Sequence, residues 1–81
     1  DRYEYSNLVS VYPNPANTTI NLISNTSAKK AKIIGLDGKV VSSHSITGFK
    51  SSIDVSTLIK GVYWVEIETA NEVIKERFIK L

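Results

Sequence analysis

Gly61-Val62-Tyr63-Trp64-Val65-Glu66-Ile67-Glu68-Thr69 is the stretch that decides the fold. Val62, Tyr63, Trp64, Val65 and Ile67 are β-branched or aromatic, the types that suit a pleated, half-buried surface. Successive strand residues point to opposite faces, so Tyr63, Val65 and Ile67 share one face and Val62, Trp64, Glu66 and Glu68 the other. The first set is the predicted core. The second grows more polar toward its C-terminal end, as a solvated face does.

The same reading extends in both directions. Ala70 and Asn71 form a turn, and residues 72–80 return as a final strand. There Ile74 and Phe78 lie on one face with Glu76, and Val73 and Ile79 on the other with Lys75 and Arg77. The pattern leaves open which face is buried, because a bulge can bring members of both sets inside. Upstream, residues 56–60 form one helical turn or a tight loop, with Leu58 inward and Gly61 setting the backbone at the loop-to-strand junction. Residues 52–55 form a short strand, Gly48 and Phe49 begin a connection, and residues 42–47 form a weak polar strand. The clearest hairpin joins residues 30–36 to Lys39, Val40 and Val41, with Asp37-Gly38 as the two positive-φ positions of a type I′ turn. Asn25, Thr26 and Ser27 make a polar loop after a strand at 18–23, in which Ile20 and Leu22 share a face. The first strand, residues 8–12, is stopped by Pro13-Asn14-Pro15, whose prolines remove ladder donors and stiffen the turn.

About seven short strands, with no stretch at helical spacing, predict an all-β domain. Two packed antiparallel sheets fit better than a closed barrel, and the expectation is a small immunoglobulin-like sandwich. The chain has 81 residues, enough for one core. It contains no cysteine, which excludes a disulfide framework and a thiolate zinc site. A net charge of +2, spread along the chain, is too weak for the basic stripe of a nucleic-acid binder. No apolar run approaches the roughly 20 residues that span a bilayer. The first residues, Asp1 onward, are polar and without methionine, and read as a piece of a longer protein.

Catalytic chemistry needs convergent groups, and they are missing. His44 is the only histidine, placed in a polar run and read as solvated. Asp37 is accounted for by its turn. Asp54, Glu66, Glu68, Glu72 and Glu76 show no calcium-loop spacing. The sequons Asn17-Thr18-Thr19 and Asn25-Thr26-Ser27 are better explained as turn and strand-start residues. Trp64 and Tyr63, as strand neighbours, point to opposite faces and cannot form one sugar-stacking platform. The reading is a module without enzymatic activity, metal or cofactor, whose function lies in its last strand pair.

The order of the turns and strands carries a resemblance. Val11-Tyr12-Pro13-Asn14-Pro15-Ala16 matches an apolar strand ending in Pro-Asn-Pro. Asp37-Gly38-Lys39-Val40-Val41 matches a central hairpin. Ile53-Asp54-Val55-Ser56-Thr57-Leu58 and Lys60-Gly61-Val62-Tyr63-Trp64-Val65 match a block of Leu, two residues and Gly-x-Tyr. Lys75-Glu76-Arg77-Phe78-Ile79-Lys80-Leu81 matches a basic closing strand. Each motif is ordinary alone, but four in this order resemble the type A C-terminal sorting domains of the type IX secretion system of Bacteroidota, over residues 8–81. Trp64 departs from the usual residue at its position, and Arg77 stands where lysine is frequent.

The resemblance implies a sorting signal that directs a cargo protein from the periplasm across the outer membrane to the cell surface or the extracellular space. Its implied partners are the outer-membrane translocon, its shuttle proteins and a sortase-like cysteine peptidase that removes the domain, after which cargo is anchored or released. Residues 1–7 are then the linker from the cargo and 8–81 the sorting domain. Lys75, Arg77, Lys80 and Leu81 are the candidate contacts with the secretion machinery. Pro13, Asn14, Pro15, Asp37, Gly38, Lys39, Leu58, Gly61 and Tyr63 are motif residues with mainly structural roles. Two other classes compete. A carbohydrate-binding or adhesive sandwich requires coplanar exposed aromatics, for which only Trp64, Phe49, Tyr3 and Tyr5 are available. A structural spacer leaves the basic end without a role.

Overall fold

Five antiparallel strands follow in chain order: β1 (Val9–Tyr12), β2 (Thr19–Ile34), β3 (Val40–Asp54), β4 (Gly61–Thr69) and β5 (Val73–Lys80). The computed structural model describes residues 9–70 and 72–81, with residues 25–27 described by their backbone alone. The fold is all-β, and no helix occurs among the described residues. The expected linker at 1–7, Leu8 and the turn residue Asn71 lie outside them.

β2 organises the rest. It pairs with β3 along nearly its whole length, from Thr19↔Asp54 to Ile34↔Val40. Its opposite edge is divided. The first half takes β1, with Val9↔Ser24 through Tyr12↔Asn21, and the second takes β4, with Ala28↔Thr69 through Ile34↔Trp64. β5 then pairs with β4 from Gly61↔Lys80 to Glu68↔Val73. Between Ile23 and Ala28 the register against β3 shifts, and the inward positions change parity: Ile20 and Leu22 are buried before it, Ala31 and Ile33 after it. The irregularity bends the strand, as bulges do. The bend folds the sheet over, bringing β1 against β5 without pairing to it.

Both halves face one core, built from Val9, Ile20, Leu22 and Ile53 on one side and Ala31, Ile33, Val65, Ile67 and Phe78 on the other. This is compatible with the two packed layers of an immunoglobulin-like sandwich. The sequence pattern suggests about seven strands because polar residues interrupt β2 and β3 at their bend. Residues 25–27, expected as a loop, continue β2, and Gly48 and Phe49, expected to begin a connection, continue β3. Polar residues sit there because the bend is where the ladder is irregular.

The Asp37-Gly38 hairpin forms where expected, with a different turn. Gly38 is at φ +85°, but among the described residues none other than glycine has a positive φ, so Asp37 does not supply the second position of a type I′ turn. Instead Gly38 donates its N–H to the Gly35 carbonyl at 3.0 Å, and Gly35 donates to the Lys39 carbonyl at 2.9 Å. Asp37 Oδ1 accepts the Lys39 N–H at 3.0 Å. A four-residue turn that ends on one left-handed glycine, Gly38, spares a Cβ-bearing residue the cost of that region, about 1 to 2 kcal/mol.

Residues 55–58 close as a tight turn, Leu58 N–H donating to the Val55 carbonyl at 3.0 Å, and Leu58 packs against the core as expected. Hydrogen bonds from Ser56, its hydroxyl first and then its N–H at 2.8 Å to Oδ1, hold the Asp54 carboxyl below its ordinary value. Gly61 has φ +149°, which answers the expectation of a special backbone at the start of β4. Val65 and Ile67 are buried, and Tyr63 is half-buried with its hydroxyl donating to the Ile59 carbonyl at 2.5 Å. The open question about the last strand is resolved by its burial pattern: Ile74, Glu76, Phe78 and Lys80 turn inward, and Val73, Lys75, Arg77 and Ile79 turn outward. His44 sits half-buried, with Nε2 2.9 Å from Ser42 Oγ, rather than solvated.

Candidate recognition surface

β5 ends the strand order β1-β2-β4-β5, so among the described residues one of its edges has no neighbouring strand. In an antiparallel ladder the backbone groups of alternate residues point away from the partner. In β5 those residues are Val73, Lys75, Arg77 and Ile79, as the contacts of Arg77 and Ile79 demonstrate. Asn14 Nδ2 donates to the Arg77 carbonyl at 3.2 Å, and Asn14 Oδ1 accepts the Ile79 N–H at 2.9 Å. Ala16 donates to the Ile79 carbonyl at 2.7 Å and accepts the Leu81 N–H at 2.8 Å. The carboxamide of Asn14 thus imitates a strand's donor and acceptor, and the Pro-Asn-Pro turn closes the C-terminal half of the edge. From Val73 to the Arg77 N–H the edge carries no strand of the described chain.

This clamp is not legible in the sequence. Pro13 and Pro15 read as stiffeners, and nothing local announces that an asparagine between them reaches a strand more than sixty residues later. Removing it has a measurable consequence. Asn14→Ala deletes two partly solvated hydrogen bonds, and we expect a loss of about 1 to 3 kcal/mol in urea unfolding. The bared edge should also raise concentration-dependent self-association by light scattering. Unchanged stability and an unchanged monomer fraction would show that the clamp carries no weight.

The four candidate contact residues do not share one environment. Lys75 and Arg77 lie side by side on the outward row of β5 and are exposed. Lys80 turns inward, is 7% exposed, and donates its ammonium to the Leu81 carbonyl at 2.8 Å. Leu81 is exposed. The outward row continues across the sheet. Lys75 is in register with Glu66, which is in register with Lys32; Glu68 is in register with Lys30. Opposite charges at cross-strand positions contribute modestly, roughly 0.2 to 1 kcal/mol each when exposed. Arg77 faces Trp64, which faces Ile34, so one end of this face is charged and the other apolar.

The other motif residues have structural surroundings. Tyr63 stacks on Phe78 with ring centroids 5.6 Å apart and planes 22° apart. Asp37, Gly38 and Lys39 form the hairpin, and Leu58 packs on the core. Among the described residues no group of three or more His, Asp or Glu side chains is arranged to hold a metal ion. No helix among them is long and apolar enough to cross a membrane.

No curated protein matches the chain. The family of secretion system C-terminal sorting domains matches residues 10–81. That is a family of secretion tails and not of catalysts, and it implies interaction with the type IX secretion machinery. The chain therefore belongs to the type IX C-terminal sorting domains of Bacteroidota, which mark proteins for export across the outer membrane to the cell surface or outside.

Proposed function

We propose that this domain is read by the outer-membrane translocon and its shuttle proteins through β5, and that a sortase-like cysteine peptidase then removes it from its cargo. Residues 1–7 belong to the linker from the cargo, the cut falls within or before them, and the cargo is afterwards anchored to the cell surface or released. The observation that supports recognition at β5 is the coincidence of Lys75 and Arg77 with the stretch of edge that carries no strand of the described chain. A strand edge offers backbone hydrogen bonds for affinity, and the cations beside it offer selectivity for an acidic partner. Lys80 and Leu81 contribute from the closed half of the edge, Lys80 by holding the Leu81 carbonyl and Leu81 by its exposed side chain.

The test is a fluorescent reporter carrying a periplasmic export signal and ending in this domain, expressed in a Bacteroidota strain with the pathway and in one lacking the translocon. The expected result is extracellular reporter without the domain in the first strain, and intact fusion held in the periplasm in the second. Periplasmic retention in both strains would refute the reading. Mass spectrometry of the exported reporter's C-terminus locates the cut, which should fall within or before residues 1–7.

A further inference from the structure

The outward face of β4 ends in an apolar hollow that the fold does not use. An open groove of about 370 Å³ is lined by Ile34, Gly35, Leu36, Gly38, Trp64 and Lys75. Among its lining residues Leu36 and Trp64 are the large exposed apolar side chains, 73% and 36% exposed. Val40, in register with Ile34, and Val41, beside Gly35, are exposed next to these lining residues. Contiguous apolar surface of this kind on a small domain marks a contact site, because leaving it in water costs free energy and gains no packing.

The charges around the groove are selective. Lys75 lines it, Arg77 is in register with Trp64, and Lys39 follows Gly38. Of the nearby acids, Glu66 stands between Lys32 and Lys75, while Asp37 keeps its charge as it accepts the Lys39 N–H, so Lys75, Arg77 and Lys39 outnumber it. The hollow is therefore apolar with a cationic rim. Three kinds of occupant fit less well than a protein segment. Sugars require several hydrogen-bonding side chains around the stacking ring, and among the described residues lining this groove only Lys75 and the Trp64 indole N–H offer polar side-chain groups. A second copy of this domain docked by two-fold symmetry sets the same patch against itself, bringing Lys75 and Arg77 toward their own equivalents. An anionic bilayer meets Glu66 and Glu68 on the same face and finds a hollow where insertion needs a protrusion.

We infer that the Trp64 groove receives a large apolar side chain from an acidic segment of a partner protein, the flanking carboxylates of that segment meeting Lys75 and Arg77. This rests on the sorting-signal reading and names the chemistry of the partner that reads it. Trp64 is the single tryptophan, so its fluorescence reports on the groove directly.

The binding probe is a short synthetic peptide with a central phenylalanine flanked by glutamates, compared with a lysine-flanked version and one with serine in place of the phenylalanine. The expected result is a saturable change in Trp64 emission with the first peptide and affinity at least about tenfold weaker for both others. Equal response to the lysine-flanked peptide, or no response to any, overturns the inference. So does saturable quenching by β-glucan oligosaccharides or anionic vesicles, or a concentration-dependent emission change without peptide, which would assign the groove to a sugar, a membrane or a second copy.

The cellular arm uses the reporter fusion with Leu36→Ser and, separately, Trp64→Ser, both on exposed positions and both checked for folding by circular dichroism. Each should lower export by about tenfold or more relative to wild type. If wild type itself is not exported, the sorting-signal reading fails. If wild type is exported and a folded Leu36→Ser variant is exported equally, the groove inference fails while that reading stands.

Discussion

Phe78→Ala is expected to destabilise the domain by about 3 to 5 kcal/mol, the range for deleting a buried aromatic ring. Phe78 is fully buried, the largest of the fully buried side chains, and it joins β5 to the core that the two halves of β2 enclose. It also stacks on Tyr63, an arrangement worth roughly 0.5 to 1.5 kcal/mol beyond area burial. A domain of this size is stable by roughly 4 to 12 kcal/mol at the usual 0.05 to 0.15 per residue. The substitution therefore removes at least about a quarter of the total and should raise the unfolded-to-folded ratio by about a hundredfold or more. Urea denaturation followed by circular dichroism measures it. A loss under about 1 kcal/mol would mean that β5 docks far more loosely than its burial implies.

Lys75→Glu combined with Arg77→Glu should abolish most export while leaving the domain folded. Both side chains are exposed and outside the core, so the stability change should be small; a second carboxylate set opposite Glu66 costs about a few tenths of a kcal/mol. Against an acidic partner the same change turns two attractions into two repulsions, and like-charge juxtaposition costs several kcal/mol. At about 1.4 kcal/mol per factor of ten, export should fall by about two orders of magnitude. The glutamine pair at the same positions should fall between wild type and the reversal. Normal export of a folded double glutamate variant would remove these residues from recognition. Deleting residues 75–81 is not an equivalent experiment. It strips Phe78 from the core and removes the partners of Asn14 and Ala16, so lost export would report unfolding.

Much of this is legible in the sequence, for identifiable reasons. The alternation in Gly61–Thr69 places Val65 and Ile67 in the core, and Ile20 and Leu22 follow from the same period of two, because burying one face of a pleated strand leaves little freedom. The ambiguity of β5 is real, since Ile74 and Phe78 compete with Val73 and Ile79 on apolar content. It is settled by Phe78 meeting Tyr63 across the β4–β5 ladder, a long-range fact. The bend in β2 reads as a loop because polar residues at an irregular ladder look like turn residues. Asp-Gly suggests the commonest two-residue hairpin, whereas the register Ile34↔Val40 demands a longer connection. Of the recognition surface, Lys75 and Arg77 can be named from sequence but not separated from Lys80, because only burial shows that Lys80 faces inward. The Trp64 groove depends on the hairpin tip lying beside β4, which no local pattern encodes.

The division of one edge of β2 between β1 and β4 has a consequence for how the signal behaves in a cell. Every described strand except β5 is hydrogen-bonded to β2, and β5 reaches the sheet only through β4. No strand pair can therefore detach as an independent unit without exposing the shared core, which makes unfolding all-or-none. The outward rows of β4 and β5 exist only while β2 is in place. A partly folded tail presents no weakened version of the surface, so the domain behaves as a switch with two positions, and cargo with a damaged tail should be invisible to the exporter rather than slow.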